Sequence, residues 1–210
     1  MKTIALAAAL TSALFTVSFA GDLLLESPGK QLHVRAGIDE TGVFRYSLNA
    51  YGQAIIQPSA VALQTNSGTI PSTGWKLIRE KTTSNTTVWK PLWGKRSVVP
   101  DRYRQAVFEL QGSNKERLDV TFRVYDDGIA FRCEVPSGSP SLIHASDRSE
   151  FRFAGDYLTW GYNGENHNHG PDPLSAITEK PPPLITLQAG PNTYLALHEA
   201  DLRPLHLRGA

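Results

Sequence analysis

Residues 118–134 read LDVTFRVYDDGIAFRCE, and this stretch decides the fold class. Apolar and polar side chains alternate from Leu118 to Val124, which is the period-two pattern of a half-buried strand. The sequence DDG follows at 126–128, and a second alternating run begins at Ile129. Two alternating runs joined by Asp-Gly predict an antiparallel β-hairpin.

The same alternation recurs along most of the chain after residue 30, with Gly, Pro, Asn and Ser between the runs. No window beyond the N-terminus keeps a helical period over ten or more residues. We therefore expect an all-β fold, a two-sheet antiparallel β-sandwich in which each sheet has one solvent-exposed face. Besides the hairpin, the expected strands cover residues 32–38, 44–48, 75–81, 86–90, 106–110, 151–153, 184–188 and 194–199.

Length and charge exclude several classes of protein. The 210 residues suit one domain, which we place at residues 21–203 with a short tail at 204–210. Lys and Arg number 21 against 20 Asp and Glu, and a net charge of +1 argues against nucleic acid or a membrane surface as partner. The single Cys133 cannot form an intrachain disulfide, and its alternation with Ile129 and Phe131 predicts a small buried core side chain.

The first twenty residues have the composition of a secretory signal peptide. Lys2 precedes an apolar run at 4–19, and Ser18 and Ala20 occupy the small-residue positions before a cleavage site. The alternative is a transmembrane anchor, but no basic stop-transfer cluster follows the run. We expect residues 1–20 to be removed and the protein to be exported to the periplasm or secreted.

The segment 161–183 contains the longest stretch without a strand pattern, and long irregular loops are often functional. Trp160 and Tyr162 border it, and His167 and His169 lie within it. Aromatic faces beside planar hydrogen-bonding groups suit a carbohydrate, so these four residues are candidate sugar contacts. A plain solvated loop is the alternative, and the His-x-His spacing matches no specific zinc pattern.

Two further features leave alternatives open. The segment 89–104 holds two Trp and several basic residues, and forms either an aromatic binding lip or a hairpin whose Trp93 closes the end of the sandwich. Glu199, at the end of the last expected strand, is either a strand-end ligand or a solvated carboxylate. No paired acids, phosphate loop or nucleophile elbow completes a catalytic set.

Several motifs occur here in the order that glycoside hydrolase family 97 shows in its N-terminal domain. They are WGKR at 93–96, DRY at 101–103, FRVYDDGIAFR at 122–132, EFRFAGD at 150–156 and YLALHEADL at 194–202. The chain resembles that domain from about residue 23 to 202.

The resemblance implies a galactose-mutarotase-like sandwich from exported, calcium-dependent enzymes that cleave α-glucosides or α-galactosides. In that family a (β/α)8 barrel supplies the catalytic residues, and the sandwich lends one glutamate to the calcium. The matching position here is Glu199.

A (β/α)8 barrel needs about 250 residues, so these 210 residues correspond to the accessory domain alone. We expect a non-catalytic carbohydrate-binding module. The alternatives are a fragment or subunit of a complete family 97-like glycosidase whose barrel is supplied elsewhere, and a β-sandwich that binds another protein.

Overall fold

The computed structural model describes residues 20–66, 68–136, 146–162, 168–177 and 184–200. All but Ala20 of the expected signal peptide at 1–20, and the expected tail at 204–210, lie outside these ranges. In chain order, the strands of the described part are β1 (Ala20–Glu26), β2 (Leu32–Ile38), β3 (Phe44–Ala50), β4 (Gln53–Ala60), β5 (Leu63–Thr65), β6 (Gly68–Ile70), β7 (Lys76–Trp89), β8 (Val99–Gln111), β9 (Arg117–Val124), β10 (Ile129–Glu134), β11 (Ser146–Asp147), β12 (Leu158–Tyr162), β13 (Asn168–Pro173), β14 (Leu184–Gly190) and β15 (Thr193–His198).

The strands form four antiparallel sheets, and two of them make the main sandwich. Their orders are β1-β2-β3-β4 and β10-β9-β8-β7. A three-stranded sheet, β11-β5-β6, and a four-stranded sheet, β13-β12-β14-β15, extend this sandwich. The predicted all-β sandwich is confirmed, although the period-two pattern did not reveal that the strands divide among four sheets. Within the described residues, no helix is long and apolar enough to span a bilayer.

An aromatic layer fills the space between the two main sheets. Phe44 and Tyr46 from β3 are fully buried and meet Phe108 and Phe122 from the facing sheet. The Phe44 and Phe108 ring centroids are 5.0 Å apart at 69°, and the Tyr46 and Phe122 centroids are 5.5 Å apart. Edge-on and tilted pairs of this kind add about 0.5–1.5 kcal/mol each beyond the area they bury.

The predicted hairpin forms between β9 and β10. Ile129 lies opposite Val124, and the Tyr125 amide donates to the Gly128 carbonyl at 2.8 Å. Asp126 has a structural role, because its carboxylate accepts a hydrogen bond from the Gly29 amide and pairs with Arg102 at 3.4 Å.

Strands β7 and β8 differ from the sequence-based expectation. Two strands were predicted at 75–81 and 86–90, whereas the structure has one strand, Lys76–Trp89, paired along its length with Val99–Gln111. The region joining the predicted strands, residues 82–85, is entirely polar. It has no apolar alternation because most of this strand is exposed on both faces.

Cys133 is partly buried and packs against the core on the same face as Phe131, so the alternation predicted its face but not the extent of its exposure. Burial, with a smaller contribution from the nearby Asp147 charge, raises the pKa of the Cys133 thiol to about 12. A thiol that is scarcely ionised near neutral pH is a poor nucleophile.

We expect native Cys133 to react with a maleimide reagent at pH 8 at least a hundredfold more slowly than the same chain in 8 M urea. The raised pKa leaves only about one thiol in ten thousand ionised at that pH. Mass spectrometry of timed samples measures both rates. Equal rates in the two conditions would contradict the burial of this thiol.

Candidate functional site

One end of the fourth sheet collects most of the residues singled out by sequence. Tyr162, the last residue of β12, pairs with Asn168 of β13. Leu184 at the start of β14 pairs with His198 at the end of β15, and Glu199 follows directly. The antiparallel register therefore places Tyr162, Asn168 and Glu199 at the same end of the sheet.

The outer face of this sheet carries an exposed aromatic group. Trp160 and Tyr162 alternate with Thr159, which is buried on the opposite face. The rings of Trp160 and Tyr194 lie 6.2 Å apart, although β14 separates their strands. Tyr162 and Tyr194 are 52% and 58% exposed. Trp160, Tyr162 and Tyr194 thus form an open aromatic face, which we call the sheet-four platform.

Sequence reasoning missed Tyr194 as a site residue. Its alternation with Leu195 predicts a strand, but only the pairing of Gln188 with both Tyr194 and Leu158 brings it beside Trp160. That pairing joins segments about thirty residues apart, and period-two patterns carry no information on it.

His169 lies on the other face of the sheet from the platform, and its role as a sugar contact stays a prediction. His169 lies directly opposite Gly161, and paired residues of neighbouring strands share a face. Gly161 alternates with Trp160 and Tyr162, so His169 belongs to the opposite face from the platform. His167 lies outside the described residues.

Glu199 is exposed just beyond the last strand, in a position open to a ligand. A calcium ion takes six to eight oxygen ligands. The described part of the chain contains no group of three or more His, Cys, Asp or Glu side chains that could hold a metal. The role of Glu199 as a calcium ligand stays a prediction.

The expectation of an irregular loop at 161–183 is also wrong in its middle section. Asn168–Pro173 pairs with β12, and a short 3-10 helix follows at Leu174–Ala176. The Ser175 amide and hydroxyl donate to the Asp156 carboxylate at 2.8 and 2.7 Å, and these bonds lower the pKa of Asp156. The sequence NHGPDP lacks apolar alternation because every residue of this edge strand is exposed.

The segment 89–104 is the far end of the β7–β8 ribbon. Trp93 is 88% exposed, so the prediction that it closes the end of the sandwich is wrong. The aromatic binding lip stays a prediction.

The Glycosyl-hydrolase 97 N-terminal family matches residues 25–206, which is nearly the whole chain. The chain belongs to this family. The resemblance drawn from the motifs is thereby confirmed. A curated relative, the probable retaining alpha-galactosidase of Streptomyces bingchenggensis (strain BCW-1), is 26% identical over 144 residues, covering 61% of this chain and 20% of that protein.

Solved structures of similar fold include a glycoside hydrolase family 97 enzyme from Pseudoalteromonas sp. strain K8 in complex with panose. Its TM-score is 0.59 at 21% identity, over 67% of this chain and 22% of that one. A beta-arabinopyranosidase matches with a TM-score of 0.68 at 20% identity, over 82% of this chain and 30% of that one. The chain thus spans under a third of the length of these relatives.

A glycine in β13 allows the backbone of this strand to lie close to the backbone of β12. Gly170 has a φ of +102°, and a Cβ at this position would collide with the Thr159 carbonyl oxygen. Gly68 has a similar φ of +115°, but nothing lies within 4 Å of the place its Cβ would take.

We expect Gly170→Ala to lower the free energy of unfolding by about 1–3 kcal/mol more than Gly68→Ala does. Both substitutions place an alanine at a positive φ, but only the one at Gly170 also adds a collision with the backbone of β12. Urea unfolding followed by tryptophan fluorescence compares the two variants. Equal losses would show that β13 does not approach β12 this closely.

Proposed function

We propose that this chain is a non-catalytic accessory domain of an exported, calcium-dependent α-glycosidase, and that it binds an α-glucoside or α-galactoside. The observation that carries the proposal is the family match over residues 25–206. The names of the relatives support the choice of substrate class, since they include an alpha-galactosidase and an enzyme in complex with panose.

The sheet-four platform is the proposed sugar-binding surface. The Trp160 ring lies beside the Tyr194 ring, and Tyr162 extends the same face toward the end of the sheet. Aromatic rings stack on the apolar faces of pyranose sugars, while their polar atoms and neighbouring side chains take the hydroxyl groups. Asn168, opposite Tyr162, supplies an amide of the required kind. His167 is a further contact candidate, and His169, on the opposite face of the sheet, is a candidate contact outside the platform.

Glu199 is the proposed link between this domain and the calcium ion. Its exposed carboxylate lies at the same end of the sheet as Tyr162, with β14 between their strands, and this position favours a role in a site shared with another body. The remaining ligands would belong to a (β/α)8 barrel that also holds the catalytic acids. Asp126 and Asp127 are adjacent in the β9–β10 turn, where the Asp126 carboxylate is bound to the Gly29 amide and paired with Arg102, so we do not propose them as a catalytic pair.

The signal-like sequence at 1–20 supports export to the periplasm or medium. The alternative, a fragment or subunit of a complete family 97-like enzyme, is supported by the relatives, because this chain covers 20% to 30% of their length. A protein-binding sandwich is favoured by the exposed apolar end of the β7–β8 ribbon.

We expect Trp160→Ala to weaken panose binding at least tenfold, or about 1.4 kcal/mol, through the loss of the stacking surface. Isothermal titration calorimetry on the purified chain measures the affinity. Trp93→Ala is the matched control, because Trp93 is an exposed tryptophan on the distant ribbon. A loss with Trp93→Ala and none with Trp160→Ala would move the sugar site to the aromatic lip.

We expect calcium to increase panose affinity for the wild-type chain and to have no such effect on Glu199→Gln. The substitution keeps the side-chain shape and removes the charge that attracts a divalent cation. Titrations in calcium chloride and in EDTA provide the comparison, with Glu40→Gln as an exposed-carboxylate control. A calcium response that survives in Glu199→Gln would remove Glu199 from the calcium site.

A further inference from the structure

The outer face of the fourth sheet extends beyond the three rings of the platform. Leu184, Thr186 and Gln188 alternate with buried residues of β14 and therefore lie on its outer face. Gln188 pairs with Leu158 of β12 on one side and with Tyr194 of β15 on the other. Paired residues of neighbouring strands share a face, so these side chains form one row across the sheet.

Further rows follow along the strands. Trp160, Thr186 and Ala196 are paired in the second row, and Leu184 and His198 are paired in the third. Rows on one face are about 6.7 Å apart, so the face is about 13 Å long from the first row to the third. Thr186 and Ala196 are small, so the row beside the indole ring is low and leaves that ring partly exposed. The face is thus longer than one pyranose ring and has room for a short chain of linked sugars.

Two polar side chains of β14 lie among the rings and are available to a ligand. Thr186 and Gln188 are partly exposed, and neither side chain makes a hydrogen bond with another described residue. The Gln188 amide offers N–H donors and a carbonyl acceptor, and the Thr186 hydroxyl can both donate and accept. The face therefore combines surfaces for stacking with hydrogen-bonding groups that the described part of the fold does not use.

Both ends of this face are open within the described part of the chain. Leu158 and Tyr194 are exposed at one end, and Tyr162 and Leu184 are exposed at the other. A site that recognises the end of a sugar chain must enclose the terminal sugar. An open face instead lets a chain pass across it and continue in both directions.

Glucose is the sugar whose shape suits this face. In an α-linked glucose chain the free hydroxyl groups are equatorial, so each ring face carries C–H groups and the hydroxyls point sideways. Such ring faces can stack on Trp160 and Tyr194, while the hydroxyls reach Thr186 and Gln188 in the same rows. The axial hydroxyl of galactose lies over one ring face and hinders this stacking.

We propose that the outer face of the fourth sheet binds the interior of an α-linked glucose chain, with Gln188 as the residue that hydrogen-bonds to the sugar hydroxyls. This inference rests on the proposed function, because the sheet-four platform is part of the same face. Each sugar that reaches a further row adds contact with the protein, so affinity increases with chain length until the face is filled.

A series of saccharides separates a site for the interior of a chain from a site for its end. Glucose is a single ring, maltotriose is a short linear chain, and α-cyclodextrin is a closed ring of α-linked glucose units without ends. Isothermal titration calorimetry on the purified 210-residue chain measures each affinity. We expect maltotriose and α-cyclodextrin to bind within about fivefold of each other, and both at least tenfold more tightly than glucose, because a single sugar reaches only part of the face.

A substitution tests the contact with Gln188. Gln188→Met keeps the length of the side chain and removes its donors and acceptor, so we expect maltotriose binding to weaken at least fivefold. Gln57→Met is the matched control, since Gln57 is an exposed glutamine within β4, and we expect it to leave the affinity unchanged. Circular dichroism compares the folding of both variants with that of the wild type. The saccharide series uses the wild-type chain and tests binding of the chain interior without either variant.

Several results would overturn the inference and leave the proposed function standing. Binding of maltotriose without α-cyclodextrin would assign the face to a chain end, and equal affinities for glucose and maltotriose would indicate a site for one sugar. Unchanged binding by folded Gln188→Met would remove Gln188 from the site. Binding of raffinose, an α-galactoside, without maltotriose would overturn the assignment to glucose. Binding of none of these saccharides, or of panose, would remove the proposed function itself.

Discussion

The contact between β3 and the facing β8–β9–β10 sheet, made through Tyr46, is the interaction on which the rest of the structure depends. The buried Tyr46 ring packs on Phe122 and Phe131, with centroids 5.5 and 5.6 Å away. Its hydroxyl donates to the Glu150 carbonyl at 3.0 Å, and burial raises the pKa of Tyr46. One side chain thereby joins the two main sheets to the segment that leads toward the fourth sheet.

Residues 150–152 help to fix the position of the fourth sheet. The Glu150 amide donates to Ala60 and the Gln57 amide donates to Arg152, both at 2.8 Å, which holds residues 150–152 along β4. The Gln53 side chain also donates to the Ala189 carbonyl at 3.2 Å, so β14 lies against the first sheet. These bonds hold the inner face of the fourth sheet against the body and leave its outer face, with the platform, turned to solvent.

Local patterns predicted the parts of this fold that depend on neighbouring residues. The β9–β10 hairpin was predictable because both strands and their Asp-Gly turn lie within eighteen residues, and the face of Cys133 followed from the same alternation. The sequence does not predict one continuous β7 strand, because a strand exposed on both faces has no alternation of apolar and polar residues. The sequence of β13 does not predict a strand for the same reason.

The site was predictable only in part, because it depends on register. Sequence identified Trp160, Tyr162 and Glu199, and the structure brings them to one sheet. The sequence alone does not predict that His169 lies on the opposite face or that the Tyr194 ring lies 6.2 Å from the Trp160 ring. Both facts follow from pairing between separate segments of the chain. Such pairing depends on how the whole fold packs, and a local sequence pattern does not reveal it.

We propose that this sandwich recognises sugar and that another protein body carries out the chemistry. The most direct test incubates the purified chain, in calcium chloride, with nitrophenyl α-glucoside and nitrophenyl α-galactoside, while calorimetry measures panose binding on the same sample. We expect a saturable heat of panose binding and no release of nitrophenol. Sustained turnover of either substrate by the pure chain would contradict it.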